Sequence, residues 1–154
     1  MTRIEFYFNV SNKSQTLADL VQAALIKRRQ VTITTENEVM ASEVSSDLWQ
    51  NKQTSFLPNV LANHAVAVQT PIVIHWQENA LHQDELLINL TLNEPVFFSR
   101  FTQLIELVGD DEQDKQAARA RYKFYRDRGY EIKSIDLAKN TIERETILNR
   151  GNSG

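Results

Sequence analysis

The sequence predicts a three-layer α/β domain, with a mostly parallel sheet and helices on both faces. Three observations carry this. Runs of strand length, IEFYF (4–8), VTITT (31–35), PIVIHW (71–76), ELLINL (85–90) and YEIKSIDL (130–137), recur along the chain. Between the first two lies a stretch with apolar residues at helical spacing, the pattern of a βαβ unit, which calls for parallel pairing and a right-handed crossover. The 154 residues are enough for one hydrophobic core and suggest no second domain.

In the first strand Ile4, Phe6 and Phe8 alternate with Glu5 and Tyr7. Thr16 and Asp19 form a candidate capping box for a helix that uses Leu17, Leu20, Val21, Ala24 and Leu25 and runs to about Arg29. VTITT is β-branched and reads as the second strand. From Glu36 to Trp49 the spacing of Val39, Met40, Val44 and Leu48 predicts a second helix, and QNKQTSFLPNVLANHA (50–65) reads as a long loop. PIVIHW and ELLINL read as neighbouring strands joined across a polar, hairpin-like connection. Pro95 suits the first turn of a third helix, with Phe97, Phe98, Phe101, Leu104, Ile105 and Val108 as its core face up to Gly109. YEIKSIDL is the last strand. Residues 139–154 read as a frayed extension of a single 1–138 domain.

The most informative helix comes just before that strand. Asp110, Asp111, Glu112 and Asp114 place anions at its amino end, while Arg119, Arg121, Lys123, Arg126 and Arg128 load the other end before Gly129. That distribution complements the helix dipole, and a glycine suits the left-handed position just past the last turn. At about 100° per residue, Ala117, Ala120 and Phe124 share one side as the expected packing face. Arg119, Tyr122, Lys123 and Arg126 share the opposite arc. Cations beside a tyrosine suit a carboxylate-bearing partner, because charged hydrogen bonds hold the anion while the ring covers neighbouring apolar surface. A solvated, solubilising face is the competing reading of the same pattern.

Composition narrows the chemistry. Cysteine is absent, which removes disulfides, thiol nucleophiles and thiolate metal sites and suits a cytoplasmic protein. A net charge of -3 and a pI near 5.6 argue against general affinity for nucleic-acid phosphates, so any nucleic-acid role is expected to be indirect. No apolar run approaches the ~20 residues of a membrane span. The loop after the first strand, NVSNKSQ (9–15), has no glycine with which to approach a pyrophosphate. A Rossmann-like shape is therefore expected without its nucleotide-binding loop. His64, His75 and His82 match no metal spacing, and no GxSxG elbow occurs. No catalytic, cofactor or metal residues are assigned. Trp49 and Phe56 to Pro58 place large apolar groups where the chain is irregular, either as a satellite cluster or as an exposed anchor for a partner.

Three stretches carry a family resemblance: AARARYKFYRDRGY (117–130), SSDLWQNKQTSFLPN (45–59) and the opening IEFYF. Together they resemble the chi subunit of the bacterial DNA polymerase III clamp-loader complex, over most of residues 1–138. The resemblance implies a non-catalytic replication adaptor. It implies that Arg119, Tyr122, Lys123 and Arg126 receive the acidic, phenylalanine-ended carboxyl-terminal tail of single-stranded DNA-binding protein. It further implies that Trp49, Phe56, Leu57 and Pro58 contact the psi subunit, or a helicase-like protein at the same surface. A Rossmann-like nucleotide-binding enzyme and a direct single-stranded DNA-binding module are the alternatives.

Overall fold

The computed structural model describes residues 1–52, 54, 59–61, 71–76, 81 and 83–138, with the backbone alone at 59–61. In chain order these form β1 (Arg3–Phe8), α1 (Lys13–Ile26), β2 (Val31–Thr34), α2 (Glu38–Gln50), β3 (Asn59–Leu61), β4 (Ile72–His75) and β5 (Leu86–Asn89). A short 3-10 turn at Phe98–Arg100 leads into β6 (Gln103–Leu107), followed by α3 (Glu112–Asp127) and β7 (Ile132–Asp136). The strands make one seven-stranded sheet in the order β3-β4-β2-β5-β6-β1-β7. Every strand pairing among the described residues is parallel.

Strand alternation sorts the core into two layers. One contains Tyr7, Ile33, Ile74, Ile88 and Ile105 against Leu17, Val21 and Ala24 of α1 and Ala41, Val44 and Leu48 of α2. The other contains Ile4, Phe6, Leu87 and Leu104 against Ala118 and Tyr125 of α3, with Phe98 and Phe101 beside them. Helices thus cover both faces, as predicted. None of the described helices is long and apolar enough to cross a membrane.

Several sequence expectations change. β1 and β2 are parallel but do not pair, because β5 and β6 lie between them and α1 crosses over both. β4 and β5 are not neighbours either; each pairs in parallel with β2. Three residues inside the expected long loop form β3, while the rest of the 50–65 stretch is only partly described. The helix expected after Pro95 is instead the 3-10 turn followed by β6. All five residues of QLIEL are buried because β6 is covered on both faces, so the alternation that marks a half-exposed strand is missing. A run of consecutive apolar residues also satisfies helical spacing.

The helix ends differ as well. Asn12 caps α1 by accepting from Gln15 N at 3.1 Å, so Thr16 and Asp19 are buried in its first turns rather than forming the cap. α1 stops at Ile26, and Arg28 takes the left-handed conformation at φ 59°. Arg28 N then donates to Leu25 O and Arg29 N to Ala24 O, a Schellman closure built on a non-glycine residue.

The basic helix and the candidate docking surfaces

α3 is closed at both ends by its own sequence. The Asp111 side chain accepts from Gln113 N, and Glu112 and Asp114 follow in the first turn. At the far end Gly129 adopts φ 83°, Gly129 N donates to Arg126 O at 2.9 Å, and Tyr130 N donates to Tyr125 O at 3.1 Å. These are the paired hydrogen bonds of a Schellman cap.

The packing face of α3 is Ala118, Arg121 and Tyr125, not Ala117, Ala120 and Phe124. Ala120 is exposed, while Ala117 and Phe124 are half-buried. The cause is an arginine that points inward. Glu106 on β6 is fully buried and sits opposite Asn89 of β5 in the register. Its carboxylate accepts from Asn89 Nδ2 at 2.9 and 3.1 Å, from Arg121 Nε at 3.1 Å and from the Tyr125 hydroxyl at 2.7 Å. Arg121 also donates through Nη1 to Leu92 O at 2.8 Å, which ties the segment after β5 to the helix. Burial pushes the Glu106 carboxyl up to about 7, opposed by the charge of Arg121 and by the donated hydrogen bonds. Sequence reasoning missed this cluster. Its signal was a glutamate inside QLIEL and an asparagine inside LLIN, polar residues in runs that are otherwise apolar.

With Arg121 and Tyr125 turned to the sheet, Arg119, Lys123 and Arg126 project into solvent along one side of α3. Arg119 lies 3.6 Å from Glu112 and Arg126 lies 3.5 Å from Asp127, all with side chains more than half exposed. Such exposed pairs contribute about 0–1 kcal/mol, so an incoming carboxylate can displace them at little cost. Lys123 forms no ion pair within 4.0 Å among the described residues. Tyr122 is half-buried, with its ring 5.4 Å from Phe6, so its position at the base of the cationic row is fixed by packing. The structure therefore brings Arg119, Tyr122, Lys123 and Arg126 onto one helix side.

Of the second set only Trp49 is described, and its helix α2 packs on the sheet face opposite α3. Trp49 is in the last turn of α2 and is 55% exposed, although α2 buries Ala41, Val44 and Leu48 against the core. Phe56, Leu57 and Pro58 lie outside the described residues, as do His64 and His82. His75 is buried on β4, edge-on to Phe97 with ring centroids 5.0 Å apart.

The fold has a topological switch point where ligands of open parallel sheets usually sit. β1 leads into α1 on one face, and its neighbour β6 leads into α3 on the other. Asp114 occupies the crevice between their ends. Its Oδ2 accepts from Gly109 N at 2.7 Å and lies 2.8 Å from Lys13 Nζ. Burial acts to raise the Asp114 pKa, but Lys13 and the Gly109 N–H outweigh it and hold the carboxyl below its ordinary range. The surrounding cavity of about 350 Å³ is also lined by Asp110 and Asp111. Three carboxylates against one ammonium oppose a phosphate at this position.

The architecture and the missing phosphate loop together define a Rossmann-like domain. Solved structures of the S. cerevisiae Dbp5 C-terminal domain are similar in fold. One, bound to Gle1 H337R and IP6, has a TM-score of 0.63 at 12% identity and covers 99% of this chain and 100% of that one. Another has a TM-score of 0.64 at 12% identity, covering 97% and 98%. Sequence comparison is more specific. Residues 1–133 match the family profile described as DNA polymerase III chi subunit, HolC. The DNA polymerase III subunit chi of Haemophilus influenzae is 36% identical over 138 residues, covering 86% of this chain and 96% of the relative. That of Pseudomonas aeruginosa is 32% identical over 143 residues, covering 90% and 99%, and that of Escherichia coli is 31% identical over 105 residues, covering 68% and 71%. The chain belongs to the DNA polymerase III chi subunit family, a family of replication accessory subunits.

Proposed function

We propose that this chain is a non-catalytic adaptor with two protein-docking surfaces. The exposed side of α3 receives the acidic, phenylalanine-ended tail of single-stranded DNA-binding protein. The Trp49 end of α2, with Phe56, Leu57 and Pro58, receives psi and through it the clamp loader. The observation that carries the first surface is the exposed row of Arg119, Lys123 and Arg126 beside the packed Tyr122. Guanidinium and ammonium groups hold the tail's carboxylates, and the tyrosine ring covers its terminal apolar side chain. Embedding in two protein partners fits a family of polymerase subunits and requires no catalytic group of its own.

Titration calorimetry with an Asp-rich, Phe-terminated peptide tests the first surface. Arg119→Ala and Lys123→Ala should each weaken binding by about 1–3 kcal/mol, the range for hydrogen bonds to charged groups, with little change in unfolding. Amidating the terminal carboxylate should cost a similar amount. Equal affinity in wild type and both variants would remove the assignment.

A further inference from the structure

On the sheet face opposite α3, a cavity of about 200 Å³ opens between the end of α1 and strands β1, β6 and β7. Four cations from three separate parts of the chain line it: Arg3 of β1, Lys27 and Arg29 just after α1, and Lys133 of β7. Glu5 is the one carboxylate in the lining, and it already accepts from the Tyr7 hydroxyl at 3.4 Å. None of the four cations forms an ion pair within 4.0 Å among the described residues. Arg29 instead donates through Nη1 to the neutral Gln103 Oε1 at 2.7 Å. Burial first, and then the charge of Arg3, hold the Arg29 guanidinium below its ordinary pKa, while Glu85 and Glu5 act the other way.

Lys27 and Arg29 alone would be explained by the negative end of the α1 dipole. Arg3 and Lys133 stand on strands, so the dipole does not account for their facing the same cavity. The result is a concentration of like charge in a chain whose net charge is -3. Like charges held together at a partly buried site are compensated when a multivalent anion enters. The guanidinium fork fits phosphate oxygens, and lysine adds point charges around it. The volume is below the ~300–1,000 Å³ of pockets for drug-sized ligands, which favours a ligand of few heavy atoms.

We propose that this cavity binds a diphosphate group, held by Arg3 and Arg29 with Lys27 and Lys133 at its edge. The group is either free pyrophosphate or the diphosphate of a nucleotide whose nucleoside stays outside. The site is independent of the tail-binding surface on α3.

The test is calorimetric titration of the full chain with inorganic pyrophosphate at ionic strength held constant with sodium chloride. Arg29→Gln should weaken binding at least tenfold, and Lys133→Gln, an exposed residue on the edge strand, should weaken it severalfold while peptide binding stays unchanged. Nucleoside diphosphate binding more tightly than pyrophosphate identifies the nucleotide as ligand, and weaker binding identifies the free anion. The proposal is overturned if pyrophosphate does not bind, or if Lys133→Gln, which should fold even where Arg29→Gln fails, binds it like the wild type. It is equally overturned if sulfate at the same ionic strength binds as well, or if a poly-pyrimidine strand binds these residues more tightly than pyrophosphate.

Discussion

Replacing Arg121 by methionine tests whether the buried cluster holds α3 in its rotation. The guanidinium side chain is 2% exposed and its partner Glu106 is 0% exposed, so the variant leaves a buried carboxyl without its cation. Breaking such a pair typically costs about 3–5 kcal/mol. Here the carboxyl keeps the Tyr125 hydroxyl at 2.7 Å and Asn89 Nδ2 at 2.9 Å, and it can escape its charge by taking up a proton. Burial already brings Glu106 to about 7 with Arg121 present, and loss of that positive charge raises it further. At pH 6 the variant's Glu106 is neutral. The remaining loss is mainly the orphaned Leu92 carbonyl and the guanidinium's packing, about 1–3 kcal/mol. Above pH 7 the deficit should grow by up to about 1.4 kcal/mol for each unit by which the variant's Glu106 pKa exceeds the wild type's. Urea unfolding at pH 6 and pH 8 measures both values. The wild type has its own slope: folding raises Glu106 from 4.5 to about 7, so the folded state holds a proton the unfolded chain has released. Its stability should therefore fall as pH rises through that window, and Glu106→Gln should flatten the slope. A loss below about 1 kcal/mol at pH 8, or one independent of pH, would refute the cluster's role.

The two Schellman closures predict opposite outcomes. Gly129→Ala should destabilise by about 1 kcal/mol, because the φ of 83° penalises a side chain even though nothing lies within 4 Å of the new methyl. Arg28→Gly, at φ 59°, should be neutral or stabilising by up to about 1 kcal/mol, read by thermal unfolding. Trp49→Ala should weaken co-purification with psi while leaving the melting temperature and peptide affinity unchanged; loss of peptide binding in step with stability would make the ring a core residue. Peptide affinity should fall with salt but persist at moderate salt, since burial of an apolar side chain near Tyr122 is not screened. A labelled poly-pyrimidine strand should give no anisotropy change there with this protein alone, and a clear signal with a salt slope of about 0.7 per phosphate would favour direct DNA contact.

The helices were readable because each meets water on one side and protein on the other, and β2, β4 and β5, although buried throughout, were readable as short apolar runs of strand length. IEFYF alternates, α2 buries Ala41, Val44 and Leu48 on one side while Val39 and Trp49 stay exposed, and α3 announces both ends through Asp111 and Gly129. β6 was not readable because QLIEL, buried throughout and so without a period, follows Phe97, Phe98 and Phe101 closely enough that the joined run fits helical spacing. The strand order was also beyond local pattern. That α1 passes over β5 and β6 before reaching β2 depends on contacts between residues some 70 positions apart, such as Arg29 with Gln103.

The rotation of α3 shows how one buried charge misleads a reading by period. The angular reading groups Ala117, Ala120 and Phe124 as the core face and assigns Arg121 to neither side, although it lies only about 40° from Ala117. Glu106 draws it inward, because a carboxyl buried on a central strand needs donors, and α3 is the helix packed over it. Arg121 and Tyr125 supply them from positions four apart on one side of the helix. Once those two are committed inward, Arg119, Lys123 and Arg126 follow outward by geometry alone. The outward row was legible from the sequence for a reason that did not include its cause. Glu106 thus acts as a positioning residue for the proposed tail site: a variant that lets α3 turn should lose peptide affinity without touching any residue that contacts the peptide.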